Sequence, residues 1–361
     1  MADCWPGEKH SIYRSMSKKL STTTKLGIAF LLFVLLIVGI FSFSYLWKFI
    51  GANVSDKEEY LYVSTGSDFE DLVQNLREHD ILLDSSSFRW AAAKMNFKKV
   101  KPGRYRLSTG MSNRRLINML KSGNQEPVKL NFQNIRLKAE FAGLISRQLE
   151  ADSLSIIQLL DSSEYVEAHG FTTDEVYAMF LPNSYELYWN TNAKQFFERM
   201  FEEYNKYWTA GRKARAEEIG LSPTEVSILA SIVDSEASVN SEMPTIAGLY
   251  LNRLFMGMKL ESDPTVIFAT KDFSIRRVLN KHLQTNSPYN TYKNKGLPPG
   301  PISMPSMAAI DAVLNYKKHK YIYMCAKEDF SGYHNFAVTM TEHLQNARKF
   351  QQALNDRNIK K

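Results

Sequence analysis

The longest stretch without a charged residue runs from Leu26 to Trp47 and reads LGIAFLLFVLLIVGIFSFSYLW. A helix of this length is about 33 Å long, enough to cross the hydrocarbon core of a bilayer. Every face of the helix is apolar, which disfavours a buried helix of a soluble protein. The stretch is also longer than the apolar region of a cleaved signal peptide, and SYLWKF is a poor cleavage site. It therefore predicts an uncleaved transmembrane helix over residues 26–47.

Charges on the two sides of this helix predict its orientation. Basic residues precede it and acidic residues follow it: Lys9, Arg14, Lys18, Lys19 and Lys25 before, and Asp56, Glu58 and Glu59 after. The positive-inside rule makes residues 1–25 a cytoplasmic tail and places the rest of the chain outside the inner (cytoplasmic) membrane. The two cysteines, Cys4 and Cys325, would then lie on opposite sides of the bilayer and could not pair within one chain.

The net charge of +7 has two possible explanations. A basic surface suits polyanions such as nucleic acid, anionic lipid or peptidoglycan. The alternative is that the excess serves only solubility and membrane orientation.

Beyond the membrane helix, the sequence predicts an α+β fold with two folded parts. Residues 50–125 alternate strand and helix patterns, including a helix over Ser67–His79 that Ser67 could cap. This is modest evidence for a small LysM-like α/β domain that binds glycan, and a spacer domain without a ligand explains it equally well. Residues 126–173 form a connecting segment. Residues 174–361 form a larger mixed α/β domain with a long charged helix over Phe196–Ile219.

The most informative helix is SPTEVSILASIVDSEAS, residues 222–238. Ser222 and Glu225 form a capping box, with Pro223 at the first helical position. At helical spacing Glu236 falls in the middle of the apolar face, whereas Asp234 projects to the other side. Such a glutamate is either an exposed residue at a helix end or a partly desolvated carboxyl whose raised pKa suits a general acid. Helical geometry alone leaves both explanations open.

The loops that follow are rich in Asn, Asp, Tyr, Pro and Gly, over residues 247–267 and 288–302. Aromatic rings and amides on turn-rich loops suit a sugar groove, although prolines can also serve only to make a rigid turn. We expect a substrate groove that includes Tyr185, Asn252, Asp263, Thr265, Tyr289, Asn290 and Tyr292.

Several sequence blocks resemble those of a known family. They are FLPNSYEL, SIVDSEAS, NRLFMGMKLESDPTVIF and YNTYKNKGLPPGPISMP, followed by His334, Phe336 and His343. In this order they are similar to the MltG (YceG-like) family of endolytic murein transglycosylases, over roughly residues 60–350. Asn183 and Ala237 depart from the family pattern, at positions where an acid and a threonine are common.

The resemblance implies a membrane anchor, a LysM-like region and a lytic domain with Glu236 as the single catalytic acid/base. It implies cleavage between MurNAc and GlcNAc, attack of the MurNAc 6-hydroxyl on C1, and a 1,6-anhydro-MurNAc end that terminates a growing glycan strand. The expected partners are peptidoglycan glycan strands, the inner membrane and peptidoglycan synthases. No metal or cofactor is expected, because the sequence has no HExxH, phosphate-loop or dinucleotide motif.

Two other functions compete with this reading. A non-catalytic glycan-binding scaffold could use the same loops, but it would not need an acid on an apolar helix face. A peptidoglycan hydrolase would need a second carboxylate at roughly 5–9 Å, which Glu242, Glu261 or Asp263 could supply. Nucleic-acid binding is disfavoured by the external location and by the lack of a clustered basic stripe outside the tail.

Overall fold

A computed structural model describes residues 21–357 of the chain. The first helix, α1, spans Thr22–Ile50, and the side chain of Ser21 accepts a hydrogen bond from the Thr24 N–H at its start. Among the described residues it is the one helix long and apolar enough to cross a membrane, and none of it is buried in protein. The predicted segment 26–47 lies inside it. Cys4 and most of the predicted tail lie outside the described residues.

The chain divides into two compact units, the first of which ends at Asn124. After α1, the first unit contains β1 (Tyr60–Val63), α2 (Phe69–Glu78), α3 (Ser85–Lys94), the second half of β2 (Gly103–Arg106) and α4 (Asn113–Ser122). Strands β1 and β2 form a two-stranded sheet. Asp68, rather than the predicted Ser67, caps α2, because its carboxylate accepts the Glu70 and Asp71 N–H groups.

The end of α1 packs against the rest of the first unit. The rings of Tyr45 and Phe49 contact the Trp90 ring edge-on, with centroids 4.8 and 4.9 Å apart. The Lys48 amine lies 5.2 Å from the same ring, and the Lys48 carbonyl accepts a hydrogen bond from the Asn113 side chain. The last turn of α1 is therefore held by the folded unit that follows it.

The second unit is mostly helical and contains two antiparallel strand pairs. Its first half consists of β3 (Val128–Asn131), α5 (Lys138–Ser146), α6 (Ser153–Asp161), α7 (Ser163–Glu167), β4 (Ser184–Leu187), α8 (Ala193–Tyr207) and α9 (Ala210–Ile219). Its second half consists of α10 (Pro223–Glu236), α11 (Met243–Phe255), α12 (Asp263–Thr270), α13 (Asn280–Leu283), α14 (Met307–Leu314), β5 (Tyr323–Ala326), β6 (His334–Ala337) and α15 (Met340–Asp356). Strand β3 pairs with β4, and β5 pairs with β6. The mixed α/β class is confirmed.

The predicted single helix over Phe196–Ile219 is wrong, because the chain turns between α8 and α9. Trp208 ends α8 and is almost fully buried. The side chain of Thr209 then caps α9 by accepting a hydrogen bond from the Arg212 N–H. A buried aromatic residue followed by an N-cap threonine stops one helix and starts the next.

Helix α10 lies in the core of the second unit. The predicted capping box is present, with Ser222 and Glu225 bonded reciprocally. The helix is buried all round from Val226 to Val233, and not on one face only, since Ser227 and Ser231 are as inaccessible as the apolar residues. These small side chains allow neighbouring elements to approach closely. The Ser231 hydroxyl, for example, accepts the Ile302 N–H.

Candidate active site

Glu236 is the last residue of α10 and is bonded by two buried hydroxyl groups. Its Oε1 accepts hydrogen bonds from the Tyr250 hydroxyl of α11 and from the Ser262 Oγ, both at 2.7 Å. Tyr250 is 2% exposed and Ser262 is fully buried. Within the described residues no hydrogen bond reaches Oε2. One carboxyl oxygen is therefore fixed by the protein, and the other is available to a ligand.

Burial raises the pKa of Glu236 above the ordinary glutamate range. The hydroxyls of Ser262 and Tyr250 act in the opposite direction, because they stabilise the carboxylate, and the charge of Asp263 adds to the rise. Burial also raises the pKa of Tyr250 well above its usual value, so this residue remains a hydroxyl donor. A carboxyl with a raised pKa can hold a proton close to neutral pH and donate it.

Ser262 does not make the hydrogen bond that is usual at its position in a helix. It is the N-cap residue of α12, where a serine normally accepts a hydrogen bond from the first turn of the helix. Its side chain makes no such bond here and donates to Glu236 instead. Loss of a capping hydrogen bond to a contact elsewhere is typical of a functional site.

Glu236 lines a cavity of about 360 Å³. The walls come from α10, α11, the start of α12, the β5–β6 pair and α15. Among its other lining residues are Tyr250, Arg253, Glu261, Asp263, Tyr292, Tyr323, Cys325, His334 and His343. A larger groove of about 830 Å³ runs beside β4 and α8, but none of the predicted site residues lines it. The smaller cavity is the candidate site, because it contains the desolvated carboxyl.

Asp263 and Tyr292 are the two predicted groove residues that share this cavity with Glu236. The Tyr292 hydroxyl donates to Asp263 Oδ1 at 2.7 Å. Burial, and then Asp263, raise the pKa of Tyr292. The pair offers a ligand one exposed carboxylate and one aromatic ring, a combination that suits a sugar.

An ion pair between Arg253 and Glu261 stabilises the wall of the cavity. The Arg253 guanidinium is bonded to the Glu261 carboxylate and donates at 2.9 Å to the carbonyls of Lys259 and Ile322. The Arg253 side chain is only 7% exposed. Arg253 thus ties α11 to the loop before α12 and to the start of the β5–β6 pair, and it neutralises one of the acids near the cavity.

Tyr185 and Asn252 are not among the residues that line the cavity. Tyr185 is buried in the core, and its hydroxyl donates to the Leu181 carbonyl. The Asn252 amide donates at 2.9 Å to the carbonyls of His319 and Tyr321. Both side chains satisfy backbone groups that would otherwise be unpaired. The structure gives no support to a direct substrate contact at these positions.

Thr265, Tyr289 and Asn290 also have framework contacts and do not line the cavity. Thr265 is fully buried and donates to the Ser262 carbonyl at 2.7 Å. The Tyr289 hydroxyl donates to the Asp174 carboxylate. The fully buried Asn290 amide donates to the carbonyls of Leu283, at the end of α13, and Thr285. Thr265 therefore acts on the site through Ser262, and the other two hold the loop in shape.

Asp234, the other acid of this block, has a structural role. Its two carboxylate oxygens accept the hydroxyl and the N–H of Ser306, at 2.8 and 3.1 Å. Ser306 is the N-cap of α14. The atypical residues Asn183 and Ala237 make no hydrogen bond to Glu236: the Asn183 side chain accepts the Ser184 N–H, and Ala237 is the C-cap of α10.

Sequence reasoning did not include Tyr250, Ser262 or Arg253 among the site residues, and it named Glu242 only as a possible second carboxylate of a hydrolase. The sequence could have identified Ser262, because it stands directly before Asp263 and the prolyl residue at the start of α12. It could not have identified Tyr250, since this residue contacts Glu236 only through the packing of α10 against α11. In the described part of the chain, no group of three or more His, Cys, Asp or Glu side chains could hold a metal ion.

Comparison with known proteins identifies the family. The model of the YceG-like family matches residues 61–349. An endolytic murein transglycosylase of Bacillus subtilis is 26% identical over 314 residues, which are 82% of this chain and 85% of that protein. An endolytic murein transglycosylase of Streptococcus pneumoniae is 25% identical over 340 residues, 83% of this chain but 60% of that longer protein.

A solved structure agrees with these sequence matches. The crystal structure of a yceG-like protein from Listeria monocytogenes has a TM-score of 0.55 and 25% sequence identity. The match covers 81% of this chain and 99% of that one. Four-fifths of the sequence thus matches one family in both sequence and fold, and the chain belongs to the YceG-like family.

Proposed function

We propose that this protein is an endolytic lytic transglycosylase of peptidoglycan. It cleaves the bond between MurNAc and GlcNAc and leaves a 1,6-anhydro-MurNAc end. The observation that carries the proposal is the Glu236 carboxyl, desolvated at the end of α10 with one oxygen free in a cavity. The names of the curated relatives support the same reaction.

The hydrogen bonds around Glu236 indicate which oxygen carries the proton. Oε1 accepts from both Tyr250 and Ser262, so the proton resides on Oε2. This proton passes to the glycosidic oxygen as the bond to C1 breaks. The two hydroxyls then stabilise the carboxylate that forms, because hydrogen bonds to an ionised acceptor are stronger than those to a neutral one.

The nucleophile is part of the substrate. The MurNAc 6-hydroxyl bonds to C1 and gives its proton to a base in the cavity, and no water is consumed. According to the family resemblance, the Glu236 carboxylate accepts this proton, after it has donated its own to the leaving oxygen. Asp263 and Tyr292 are placed to bind sugar hydroxyls beside Glu236, because both line the same cavity.

The apolar helix α1 supports a membrane-anchored architecture. Residues 1–25 are cytoplasmic, residues 26–47 cross the inner membrane, and the catalytic domain of residues 174–361 lies outside, after a connecting segment. Residues 50–125 form a LysM-like glycan-binding domain. A cleaving domain tethered in this way acts on nascent strands close to the membrane, where it terminates elongation alongside peptidoglycan synthases.

Hydrolysis is the second candidate, because two further acids line the cavity. Glu261 is paired with Arg253, whereas Asp263 is exposed and, among the residues that the structure describes, its side chain is bonded only to Tyr292. If Asp263 activated a water, the product would be a reducing end.

The experiment that separates these functions is digestion of purified sacculi in H₂¹⁸O with the full-length, detergent-solubilised protein. We expect 1,6-anhydro ends without ¹⁸O, identified by mass spectrometry. Reducing ends that carry ¹⁸O at C1 would establish hydrolysis, and binding of sacculi without cleavage would establish a scaffold. The Glu236→Gln protein gives the background of contaminating activities.

A further inference from the structure

A basic stretch that sequence reasoning missed outside the tail falls largely in the first unit. Residues 85–124 run from the start of α3 to just beyond α4 and contain ten Lys and Arg residues but no Asp or Glu. The whole chain has a net charge of only +7, so the remaining residues are acidic on balance. Such a segregation of charge favours an anionic partner for this part of the unit.

The arginines and the lysines of this stretch differ in their partners. Arg89 is bound to the carboxylate of Glu70, and Arg106 to that of Glu59. In the part of the chain that the structure describes, no lysine of the stretch is paired with a carboxylate. These five lysines are Lys94, Lys98, Lys99, Lys101 and Lys121. Their charges are therefore left to solvent or to a ligand.

Four of these lysines line one cavity of about 240 Å³, at the C-terminal ends of α3 and α4. Its other lining residues are Asn96 and Phe97, so no acid lines it. The helix ends hold two of the lysines in place. Lys121 Nζ donates to the Met95 carbonyl at 3.2 Å, and Lys101 Nζ donates to the Ser122 carbonyl at 2.9 Å. Each of these ammonium groups has three donors and keeps two for a ligand.

Capping of helix ends does not account for the whole cluster. Cations near a helix C-terminus are favourable, which explains Lys101 and Lys121. Lys98 and Lys99 are exposed, and within residues 21–357 their side chains make no hydrogen bond. Like charges around one cavity repel each other, and an anion in the cavity offsets that repulsion. The four ammonium groups suit the several oxygens of a phosphate, which lysine binds as a point charge.

The contact between α3 and α1 sets the depth of this cavity relative to a membrane. Trp90 lies in α3, and its ring contacts the ring of Tyr45, which is inside the predicted span 26–47. Trp90 thus extends the aromatic belt at the end of α1 into the folded unit. The cavity begins at Asn96, six residues after Trp90, which is about 9 Å along a helix. This is about one Debye length at physiological salt, so the cavity lies within range of the membrane's surface charge.

We propose that this cavity binds the phosphate of an anionic phospholipid headgroup and holds the first unit at the outer surface of the membrane. This rests on the proposed membrane anchorage by α1. Lys98 and Lys99 supply ammonium groups that are free of other bonds, and Lys101 and Lys121 complete the site from the helix ends. A free phosphate ion offers the same oxygens. The position beside α1 favours the lipid, because the membrane presents headgroups at a high local concentration.

The test is native mass spectrometry of the full-length, detergent-solubilised protein, titrated with phosphatidylglycerol or with neutral phosphatidylcholine. The wild type should bind phosphatidylglycerol at least ~30-fold more tightly. The Lys98→Gln/Lys99→Gln double variant should weaken that binding by about 30-fold, because each basic residue near an anionic surface contributes about fivefold. Binding of phosphatidylcholine should stay within about twofold of the wild type.

A second adjacent pair of exposed lysines, Lys317 and Lys318, provides the matched control in the second unit. The Lys317→Gln/Lys318→Gln double variant removes the same charge and should leave phosphatidylglycerol binding within about twofold of the wild type. Because all four positions are exposed, both double variants should keep the melting temperature of the wild type.

The inference is overturned if the wild type binds the two lipids equally, or if the Lys98→Gln/Lys99→Gln protein keeps the preference. It is also overturned if the Lys317→Gln/Lys318→Gln protein loses the preference, since net charge alone would then explain it. Displacement of the lipid by millimolar inorganic phosphate, but not by chloride at the same ionic strength, would make this a site for free phosphate instead. Extraction of the wild type from vesicles by alkaline carbonate would refute the membrane anchorage, and absence of anhydro ends would refute the proposed reaction. Both of these are measured apart from the lipid titration.

Discussion

Asp234 and Glu236 are two acids two residues apart on α10, and their surroundings give them opposite roles. Asp234 has both oxygens bonded to Ser306, a helix cap on α14. Glu236 has one oxygen bonded to two hydroxyls from other helices and turns, and its second oxygen lies at a cavity. The difference teaches that residue type and sequence neighbourhood do not identify the working acid. What identifies it is a free oxygen in a desolvated site.

The largest expected effect separates the two acids by activity. Glu236→Gln removes the proton donor without changing the side-chain volume, and it should lower glycan cleavage at least ~1,000-fold. Asp234→Asn keeps an acceptor for Ser306 and should remain within about fivefold of the wild type, since Asp234 does not line the cavity. Release of soluble fragments from sacculi measures both. Equal losses of activity in the two variants would contradict the assignment of the catalytic role to Glu236 and of a structural role to Asp234.

A smaller effect is expected from the hydroxyls that bind Glu236. Tyr250→Phe should slow cleavage by about tenfold, because the developing carboxylate loses one charge-assisted hydrogen bond. In the wild type, kcat/KM should fall at alkaline pH as Glu236 loses its proton. The Tyr250 hydroxyl lowers the pKa of Glu236, so its removal should shift this alkaline fall to higher pH. Ser262→Ala should do the same. An alkaline fall that stays in place, or that moves to lower pH, would contradict the assignment of that fall to Glu236.

For Asp234 the larger effect should appear in stability. Asp234→Ala leaves the N–H and hydroxyl of Ser306 without their acceptor and should lower the free energy of unfolding by about 1–2 kcal/mol. Chemical denaturation of the full-length protein in detergent measures this loss. The activity of the fraction that stays folded should persist. An Asp234→Ala protein that is fully stable but inactive would give Asp234 a catalytic role.

The smallest effect concerns the stability of the Glu236→Gln protein. Because the pKa of Glu236 is raised in the folded state, ionisation costs more in the folded than in the unfolded chain. The cost is absent below the unfolded pKa, near 4.3, and complete above the folded pKa. Glu236→Gln should therefore be more stable than the wild type by about 1 kcal/mol at neutral pH. The gain should vanish below about pH 4, and a gain that grows on acidification would contradict the sign.

Local sequence patterns predicted the elements that carry the site better than the site's contacts. The capping box at Ser222, the helix that follows and the position of Glu236 could all be predicted, because they depend on residues within one turn or two of each other. The break at Trp208 and Thr209 was missed, since a continuous run of helix-forming residues conceals a cap in its middle. The partnership of Glu236 with Tyr250 depends on tertiary packing, which helical periodicity does not encode.

Most of the predicted groove residues do not line the cavity, again because local sequence patterns do not encode tertiary contacts. Asn252 and Asn290 look like ligands of a sugar in the sequence, because exposed amides on loops commonly bind substrates. In the structure Asn252 lies on helix α11 and not on a loop, and both amides satisfy backbone carbonyls of neighbouring segments. Irregular buried backbone needs such donors as much as a substrate does. Residue type alone does not distinguish the two demands. Of the predicted groove residues, Asp263 and Tyr292 line the cavity with Glu236.

The most direct test of the central claim, that Glu236 enters the reaction protonated, is a titration of its carboxyl carbon by ¹³C NMR. The full-length protein would be labelled at the glutamate side-chain carboxyls, and the Glu236 resonance assigned by its absence in Glu236→Gln. The signal should titrate above the ordinary glutamate value of about 4.3. In Tyr250→Phe the midpoint should rise further, because a donor to the carboxylate is lost. A midpoint at or below the ordinary value would show that Glu236 is ionised when substrate binds, and would contradict its role as the acid.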